Sequence, residues 1–504
     1  MVKQAKINQV ILLILDDVRS SQFFELMERG KLPNFANLAK NGISSQNCIT
    51  SFPSVTFPCY PNIITGSYSG YFPEEGSGIP AYHWISRSDP PSKGKKPPFI
   101  RNYSIGSHIW KISRDLGKNV KTVFEQAGEG NFFSSLNIVF RGSYFSPPQK
   151  FNTENVFKNI QNAYENPTKF FSDKEVPKIT IGYIPKTDEL LHERGFDHPE
   201  YIGEILKCDD YLGNLITFLK SEGHYDSTAI GVISDHGNYK AEKTYDLEPF
   251  FKSKGLQPYD PKRGKGDFDA NFGCIGSFNF PGDTWHHHPN IEQMEKFTPK
   301  GSEKSTNLFD ILWDIPGIKL MYFRDDENTP DKGIIHIKRK NSRTGQISTA
   351  SIEYKGMGKS MKTRYNIDEV DIFGYQNNEQ VNSLLDGKYY SIDQWLAKTY
   401  DIDFPMIIDQ IPRFFTNPRS SDILVSTLGE YAFNYEHGKT MNDHLYSHDI
   451  ALRKSMNVPF IIGGSADLPN LQLEYCKTTD MIPSLLCLLG MDPHESVVGK
   501  NLLD

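Results

Sequence analysis

The 504-residue chain carries only six cysteines, Cys48, Cys59, Cys208, Cys274, Cys476 and Cys487, and no two of them form a CxxC pair or a framework spacing. A disulfide-stapled scaffold is therefore not expected, and free thiols of a reducing compartment are. Positive charge is not in excess either, since 55 Lys and Arg stand against 62 Asp and Glu for a formal net charge of −7. A nucleic-acid scaffold would carry a basic surface, so that class is set aside. No apolar run reaches membrane-spanning length. The run Ile11-Leu12-Leu13-Ile14-Leu15 is too short to span, and no small-residue cleavage site follows it. A cytoplasmic protein without a membrane partner is expected. Internal repeats and low-complexity tracts are missing too, which leaves an ordinary globular chain.

What is present is an alternation of apolar strands and amphipathic helices, long enough for two or three domain-sized units. Ile11 to Leu15 reads as a buried parallel strand ending in Asp16-Asp17. Two short helices follow, one carrying Phe23, Phe24, Leu26 and Met27, the other opening at Pro33. Residues 67 to 105, rich in Gly, Pro, Ser and Tyr, read as a long surface excursion. Short strands are expected at Val120 to Phe124 and Asn137 to Phe140, then a helix over about Asn155 to Glu165. Lys178 to Ile184 reads as a strand, Tyr201 to Ser221 as a long amphipathic helix and Ala229 to Ile233 as another core strand.

From about Tyr239 to Gln394 the chain is more polar, with a β-hairpin at Gly333 to Ile337 and Ile347 to Ile352. The core is expected to resume with a strand at Ser421 to Ser426, another at Val458 to Ile462 and a helix over about Thr479 to Leu489. The expected fold is α/β, a mostly parallel central sheet flanked by helices. Its expected division is a catalytic core over 1–240, an inserted α+β cap over 241–395, and the rest of the core over 396–504.

Open α/β sheets place ligands at the carboxyl ends of their strands, so residues just past a strand matter most. Asp16 and Asp17 sit there, although an Asp after a strand also serves as a helix N-cap. Thr56 lies in Ser51-Phe52-Pro53-Ser54-Val55-Thr56-Phe57-Pro58-Cys59, where Pro58 is placed to open a short helix toward Thr65-Gly66. A hydroxyl at a helix N-terminus can act as a nucleophile beside a bound anion. Asp188 and His192 are four apart, so one helical face presents both, either to a metal ion or as an exposed pair. Asp235-His236-Gly237 ends a strand, and Gly237 permits an unusual backbone there, with a plain polar turn as the alternative. Trp285-His286-His287-His288 reads as a surface loop or a substrate gate. His437, His444 and His448 fall in a loop before the Val458 strand.

In this order Asp16, Thr56, Asp188-x-x-x-His192, Asp235-His236-Gly237 and a late His before Val458-Pro459 resemble the alkaline phosphatase superfamily, within it the nucleotide pyrophosphatase/phosphodiesterase branch. The resemblance covers roughly residues 8 to 66, 178 to 240 and 420 to 490. It implies two divalent metal ions, usually zinc, one held by Asp16, Thr56, Asp235 and His236 and the other by Asp188, His192 and His448, with His437 the alternate. It also implies that Thr56 attacks phosphorus and passes through a phosphothreonine. Cys59 mimics the start of the sulfatase nucleophile motif, yet Thr65-Gly66 begins nine residues after Thr56 and six after Cys59. Both branches place the nucleophile nine before that pair, and Ile63 stands where a sulfatase has Arg, so Thr56 is the aligned residue and Cys59 a packing one.

Relatives in this branch place an Asn after a Gly-Ile segment to hold a phosphoryl oxygen. Here Gly78-Ile79 is followed by Pro80-Ala81-Tyr82-His83, so Tyr82 or His83 is expected to donate instead. The implied function is metal-dependent hydrolysis of phosphodiester or pyrophosphate bonds in a small nucleotide-like substrate. A phosphomonoesterase or phosphonate hydrolase on the same metals is the alternative, and a non-catalytic binding protein the third reading.

Overall fold

The computed structural model describes residues 7–70, 78–87, 98–104, 106–147, 150–434, 445–465 and 468–503. The chain divides into two compact units, the first made of Met1–Tyr68, Trp110–Asn238 and Arg453–Asp504, the second of Ser69–Ile109 and Tyr239–Leu452.

The first unit is built on seven main strands: β1 (Gln9–Leu15), β2 (Ile43–Ile49), β3 (Phe132–Ser135), β4 (Tyr144–Ser146), β5 (Ile179–Ile184), β6 (Thr228–Ser234) and β7 (Asn457–Gly464). Across the sheet the order is β2, β7, β6, β1, β5, β3, β4, with the short strands Leu471–Gln472 and Cys476–Lys477 added on β2. β1 runs parallel to both β5 and β6, and β3 runs parallel to β5 and β4. β7 alone reverses, pairing antiparallel with β6 and β2. The sheet is thus mostly parallel, as its continuous apolar strands require when both faces are covered.

The helices that cover it are α1 (Ser20–Glu28), α2 (Pro33–Lys40), α3 (Thr56–Thr65), α4 (Thr153–Glu165), α5 (Lys186–Arg194), α6 (Pro199–Ser221) and α7 (Met481–Leu488). α6 buries Tyr201, Ile205, Cys208, Leu212, Leu215 and Leu219, a stripe at helical spacing in which each large side chain contributes roughly 1.5–3 kcal/mol. α4 lies tight on β5, because a Cβ at Gly182 would stand 2.8 Å from Ile160 Cδ1.

Two expected strands are absent here. Val123–Gln126 is a helical turn, because the Thr122 hydroxyl accepts the Glu125 amide at 3.3 Å while the Glu125 carboxylate accepts the Thr122 amide at 2.9 Å. That reciprocal cap outweighs the strand propensity of Val123 and Phe124. Asn137 to Phe140 is irregular, and the strand that pairs with β5 is Phe132–Ser135 instead.

The second unit centres on an eight-stranded sheet in the order Asp269–Phe272, Ile275–Asn279, Ile423–Ser426, Leu320–Arg324, Lys332–Lys340, Ile347–Lys355, Lys362–Ile367 and Tyr390–Ser391. All its pairs are antiparallel, and the expected hairpin is there with Lys332 opposite Lys355. The strand Ile423–Ser426, expected in the first sheet, pairs here with Ile275–Asn279 and Leu320–Arg324. Its four apolar or small residues suit either sheet, and only the partner register decides. The boundary at 395 is therefore corrected: residues 396–452, and the excursion 69–109, belong to this second unit. The His run is anchored inside it, with the Trp285 ring packed on Tyr259 at 4.1 Å and His288 Nδ1 on Asp422 Oδ1.

Candidate metal centre

β5, β1 and β6 are neighbours and parallel, and their last residues are in register, Leu15 opposite both Ile184 and Ser234. Whatever follows these three strands is therefore delivered to one place. Asp16-Asp17 follows β1, the first turn of α5 with Asp188 follows β5, and Asp235-His236 follows β6. α5 then returns His192 to the same face, with Nε2 3.1 Å from Asp188 Oδ1.

Thr56 is the first residue of α3, entered through extended Val55 and ended by Gly66 at φ 68°. Its Oγ1 lies 3.1 Å from His236 Nε2. The same nitrogen is 3.5 Å from Asp16 Oδ1 and 3.7 Å from Asp235 Oδ2. Donors bound tetrahedrally at about 2.0–2.1 Å are separated by roughly 3.3 Å, so each of these three oxygens stands at about ligand-shell spacing from His236 Nε2, and Asp16, Asp188 and His236 offer ligand atoms within 4.8 Å of one another.

The hydrogen bonds around them leave the same atoms over. Asp16 Oδ2 accepts the Tyr183 hydroxyl. Asp235 Oδ1 accepts the backbone amides of Asp17 at 3.2 Å and His236 at 2.9 Å. Asp16 Oδ1 and Asp235 Oδ2 accept no hydrogen bond although both are buried. Buried carboxylate oxygens are seldom left so unless something else fills the gap. An oxygen and imidazole donor set without thiolate suits a divalent ion such as zinc or manganese.

The electrostatics agree. Burial, then repulsion from Asp235 and Asp188, pushes the Asp16 carboxyl well above its usual range. Burial likewise raises Asp235 against the opposing pull of His236, and raises Asp17 to about 6. Burial pulls the His236 imidazole down, but Asp235 and Asp17 outweigh it and lift it to about 10. The protein concentrates negative charge that the single His236 imidazolium offsets only in part, the state a cation would relieve.

Cys59 takes no part. Its Sγ donates to the carbonyls of Ser51 and Pro53 at 3.5 Å, and burial pushes its thiol pKa far up, so the reactive thiolate is suppressed. Gly237 is required for a reason other than the expected one. A Cβ there would stand 2.8 Å from the Lys454 carbonyl oxygen, and the left-handed residue at this edge is Asp17, at φ 59°.

The structure thus brings together Asp16, Thr56, Asp188, His192, Asp235 and His236. His448 belongs to the second unit, buried beside the short strand Tyr446–Ser447, with the Tyr239 hydroxyl donating to its carbonyl at 2.9 Å. His437 and His444 lie outside the described residues. Tyr82 and His83 are also in the second unit, Tyr82 donating to the Phe272 carbonyl at 3.2 Å and His83 Nε2 held 2.8 Å from Asp269. Sequence reasoning noted Asp17 at the strand end but left it out of the ligand set. Ligand atoms of Asp17, Asp188 and His192 lie within 4.8 Å of one another. The doublet at the strand end was the available signal.

Residues 10–308 match the type I phosphodiesterase / nucleotide pyrophosphatase family. Among curated proteins the chain is 27% identical over 235 residues to a pyrophosphatase/phosphodiesterase of Schizosaccharomyces pombe, covering 45% of this chain and 44% of the relative. It is 23% identical over 235 residues to the human bis(5'-adenosyl)-triphosphatase ENPP4, 45% of this chain and 47% of that one. The chain spans about half the length of these relatives. Among solved structures, human ectonucleotide pyrophosphatase / phosphodiesterase 5 superposes with a TM-score of 0.58 at 15% identity, covering 98% of this chain and 97% of the other, which establishes the fold as alkaline phosphatase-like. An inactive form of the murine protein in complex with AMP gives 0.56, at 15% identity over 97% and 96%. The family match spans more than half of the chain, which belongs to the type I phosphodiesterase / nucleotide pyrophosphatase family of the alkaline phosphatase superfamily.

Proposed function

We propose that the chain is a metal-dependent phosphoric ester hydrolase that cleaves phosphodiester or pyrophosphate bonds of a small nucleotide-like substrate. The observation that carries this reading is the gathering of Thr56 Oγ1, Asp16 Oδ1 and Asp235 Oδ2 at 3.1, 3.5 and 3.7 Å from His236 Nε2, with both carboxylate oxygens accepting no hydrogen bond. Asp188 and His192 offer the second position. Two bound divalent cations, zinc by preference for this donor set, would supply the Lewis acidity that lowers a hydroxyl pKa and neutralises charge on the transferring phosphoryl group.

The chain's own residues do the rest. α3 presents the Thr56 hydroxyl at its first turn, where backbone amides favour an anion. Thr56 Oγ forms the bond to phosphorus as the leaving oxygen departs, giving a phosphothreonine that water then cleaves. Tyr183 holds Asp16, and the backbone amides hold Asp235, so that neither carboxylate has to reorganise during the reaction. His448 is proposed as a further metal ligand, and Tyr82 and His83 as residues for the phosphoryl oxygen, which Tyr82 Oη and His83 Nε2 would reach on release from the Phe272 carbonyl and Asp269. AMP bound to the murine neighbour and the triphosphatase name of the human relative support a nucleotide-like substrate. The six free thiols support a reducing compartment such as the cytoplasm.

The test is hydrolysis of bis-p-nitrophenyl phosphate against p-nitrophenyl phosphate, with and without chelator. Diester preference, lost on chelation and restored by zinc or manganese, is expected. Preference for the monoester would move the assignment to a phosphomonoesterase on the same metals.

A further inference from the structure

Asp17 is fully buried at the carboxyl end of β1, and neither of its carboxylate oxygens accepts a hydrogen bond. Its backbone, by contrast, is fully engaged. The amide donates to Asp235 Oδ1 at 3.2 Å, and the carbonyl accepts the Tyr201 hydroxyl at 2.9 Å and Asn238 Nδ2 at 3.1 Å. The chain therefore holds this residue firmly while leaving its carboxylate to something else. A buried carboxylate without partners is among the most unfavourable groups a fold can keep.

Two roles are open to such a group, and the distances separate them. It could orient His236, whose Nδ1 is 3.6 Å from Asp17 Oδ1, but that is too long for a hydrogen bond, and Nδ1 already faces the Gly237 carbonyl at 3.2 Å. Within its own unit, Asp188 and His192 offer ligand atoms within 4.8 Å of an Asp17 oxygen. A carboxylate beside another carboxylate repels it unless a cation lies between.

Resting on the metal-centre reading above, we propose that Asp17 is a direct ligand of the second metal position, together with Asp188 and His192. The two positions are then unlike. One is held by Asp16, Asp235, His236 and the Thr56 hydroxyl, and the other takes two carboxylates against one imidazole from this unit. Four carboxylates balance the charge of two divalent cations. Both positions are built from oxygen and imidazole donors without thiolate, a set that admits manganese as well as zinc.

The test titrates Zn²⁺, and separately Mn²⁺, into chelator-stripped full-length protein, with stoichiometry by elemental analysis and affinity by calorimetry. Wild type is expected to bind two ions per chain. Asp17→Asn keeps the size and shape of the side chain but lacks the charge, and Asp17→Gly suits the φ of 59°. Either variant should weaken one of the two sites by at least about 10-fold. Each should also raise the melting temperature of the metal-free protein, because a buried negative charge has been removed from a carboxylate cluster. A purely structural Asp17 would give the opposite sign in that melt, and a fall in both variants overturns the proposal. So does unchanged affinity at both sites. If wild type itself binds no divalent ion, the metal-centre reading fails, and this failure is distinct from a variant that matches wild type.

Discussion

Each unit of this chain buries a cluster of ionisable side chains at the end of a sheet strand, and the two clusters are resolved in opposite ways. In the second unit Asp422 is fully engaged: Oδ2 accepts Arg87 Nη2 at 2.8 Å and the Phe280 amide at 2.7 Å, and Oδ1 accepts His288 Nδ1. Burial pushes its carboxyl up, but Arg87 and His288 outweigh this and hold it below the usual range. In the first unit Asp16, Asp17 and Asp235 are as deeply buried, yet each keeps at least one oxygen without a hydrogen bond, and all three carboxyls are raised. Burial of Asp is thus no sign of function by itself. A buried Asp whose partners are missing is one, because the fold then bears an energetic penalty that a bound cation, or a proton, relieves.

The comparison can be tested from both sides. Thr56→Ala removes the nucleophile and should lower diester hydrolysis by on the order of 10³-fold or more, with Cys59→Ala close to wild type in the same steady-state assay. Asp422→Ala should leave the Arg87 charge buried with only backbone carbonyls for partners and destabilise the protein by about 3–5 kcal/mol in denaturant melts. Asp235→Asn, at equal burial, should instead leave the metal-free protein as stable or more so, while metal binding is lost. If Asp422→Ala and Asp235→Asn destabilise alike, the contrast between the clusters is wrong.

A smaller effect is expected at Gly237. Gly237→Ala pushes a methyl against the Lys454 carbonyl at 2.8 Å and should cost about 1–3 kcal/mol in the same melts.

The two clusters should also respond oppositely to pH in the metal-free protein. Asp17 is raised to about 6, so its contribution to stability is full below about 3.9, the unfolded value, and is lost as pH rises through 6. Asp422 is lowered, so its contribution is present above about 3.9 and lost as pH falls below it. Melts across this range for wild type, Asp17→Asn and Asp422→Asn should separate the two. The raised carboxyls also mean that metal binding releases protons, so affinity should fall as pH drops below 6, with proton release measured by calorimetry in buffers of different ionisation enthalpy.

Much of the first unit was legible in the sequence. Continuous apolar strands ending in Asp, a helix with Asp188 and His192 one turn apart, and the Thr56-to-Gly66 spacing are local signals, and local geometry reproduces them. What was hidden is long-range. Ile423-Leu424-Val425 reads as a strand of any sheet, and the sequence holds no mark of its antiparallel partners. Val123-Phe124 reads as strand until the Thr122–Glu125 cap is counted. Asp17 was visible as half of a doublet, but neighbouring residues on a strand point apart. Only its left-handed turn just past β1 brings its carboxylate near Asp188 and His192.

The central claim is that Thr56, among hydroxyls and thiols of this segment, is the atom that takes the phosphoryl group. Rapid acid quench of the metal-loaded protein with a diester substrate, followed by peptide mass mapping, tests it directly. A phosphate on Thr56 that is missing from Thr56→Ala and from chelator-treated protein is predicted. Turnover without any phosphorylated Thr56, or a phosphate carried by another residue, would contradict the account.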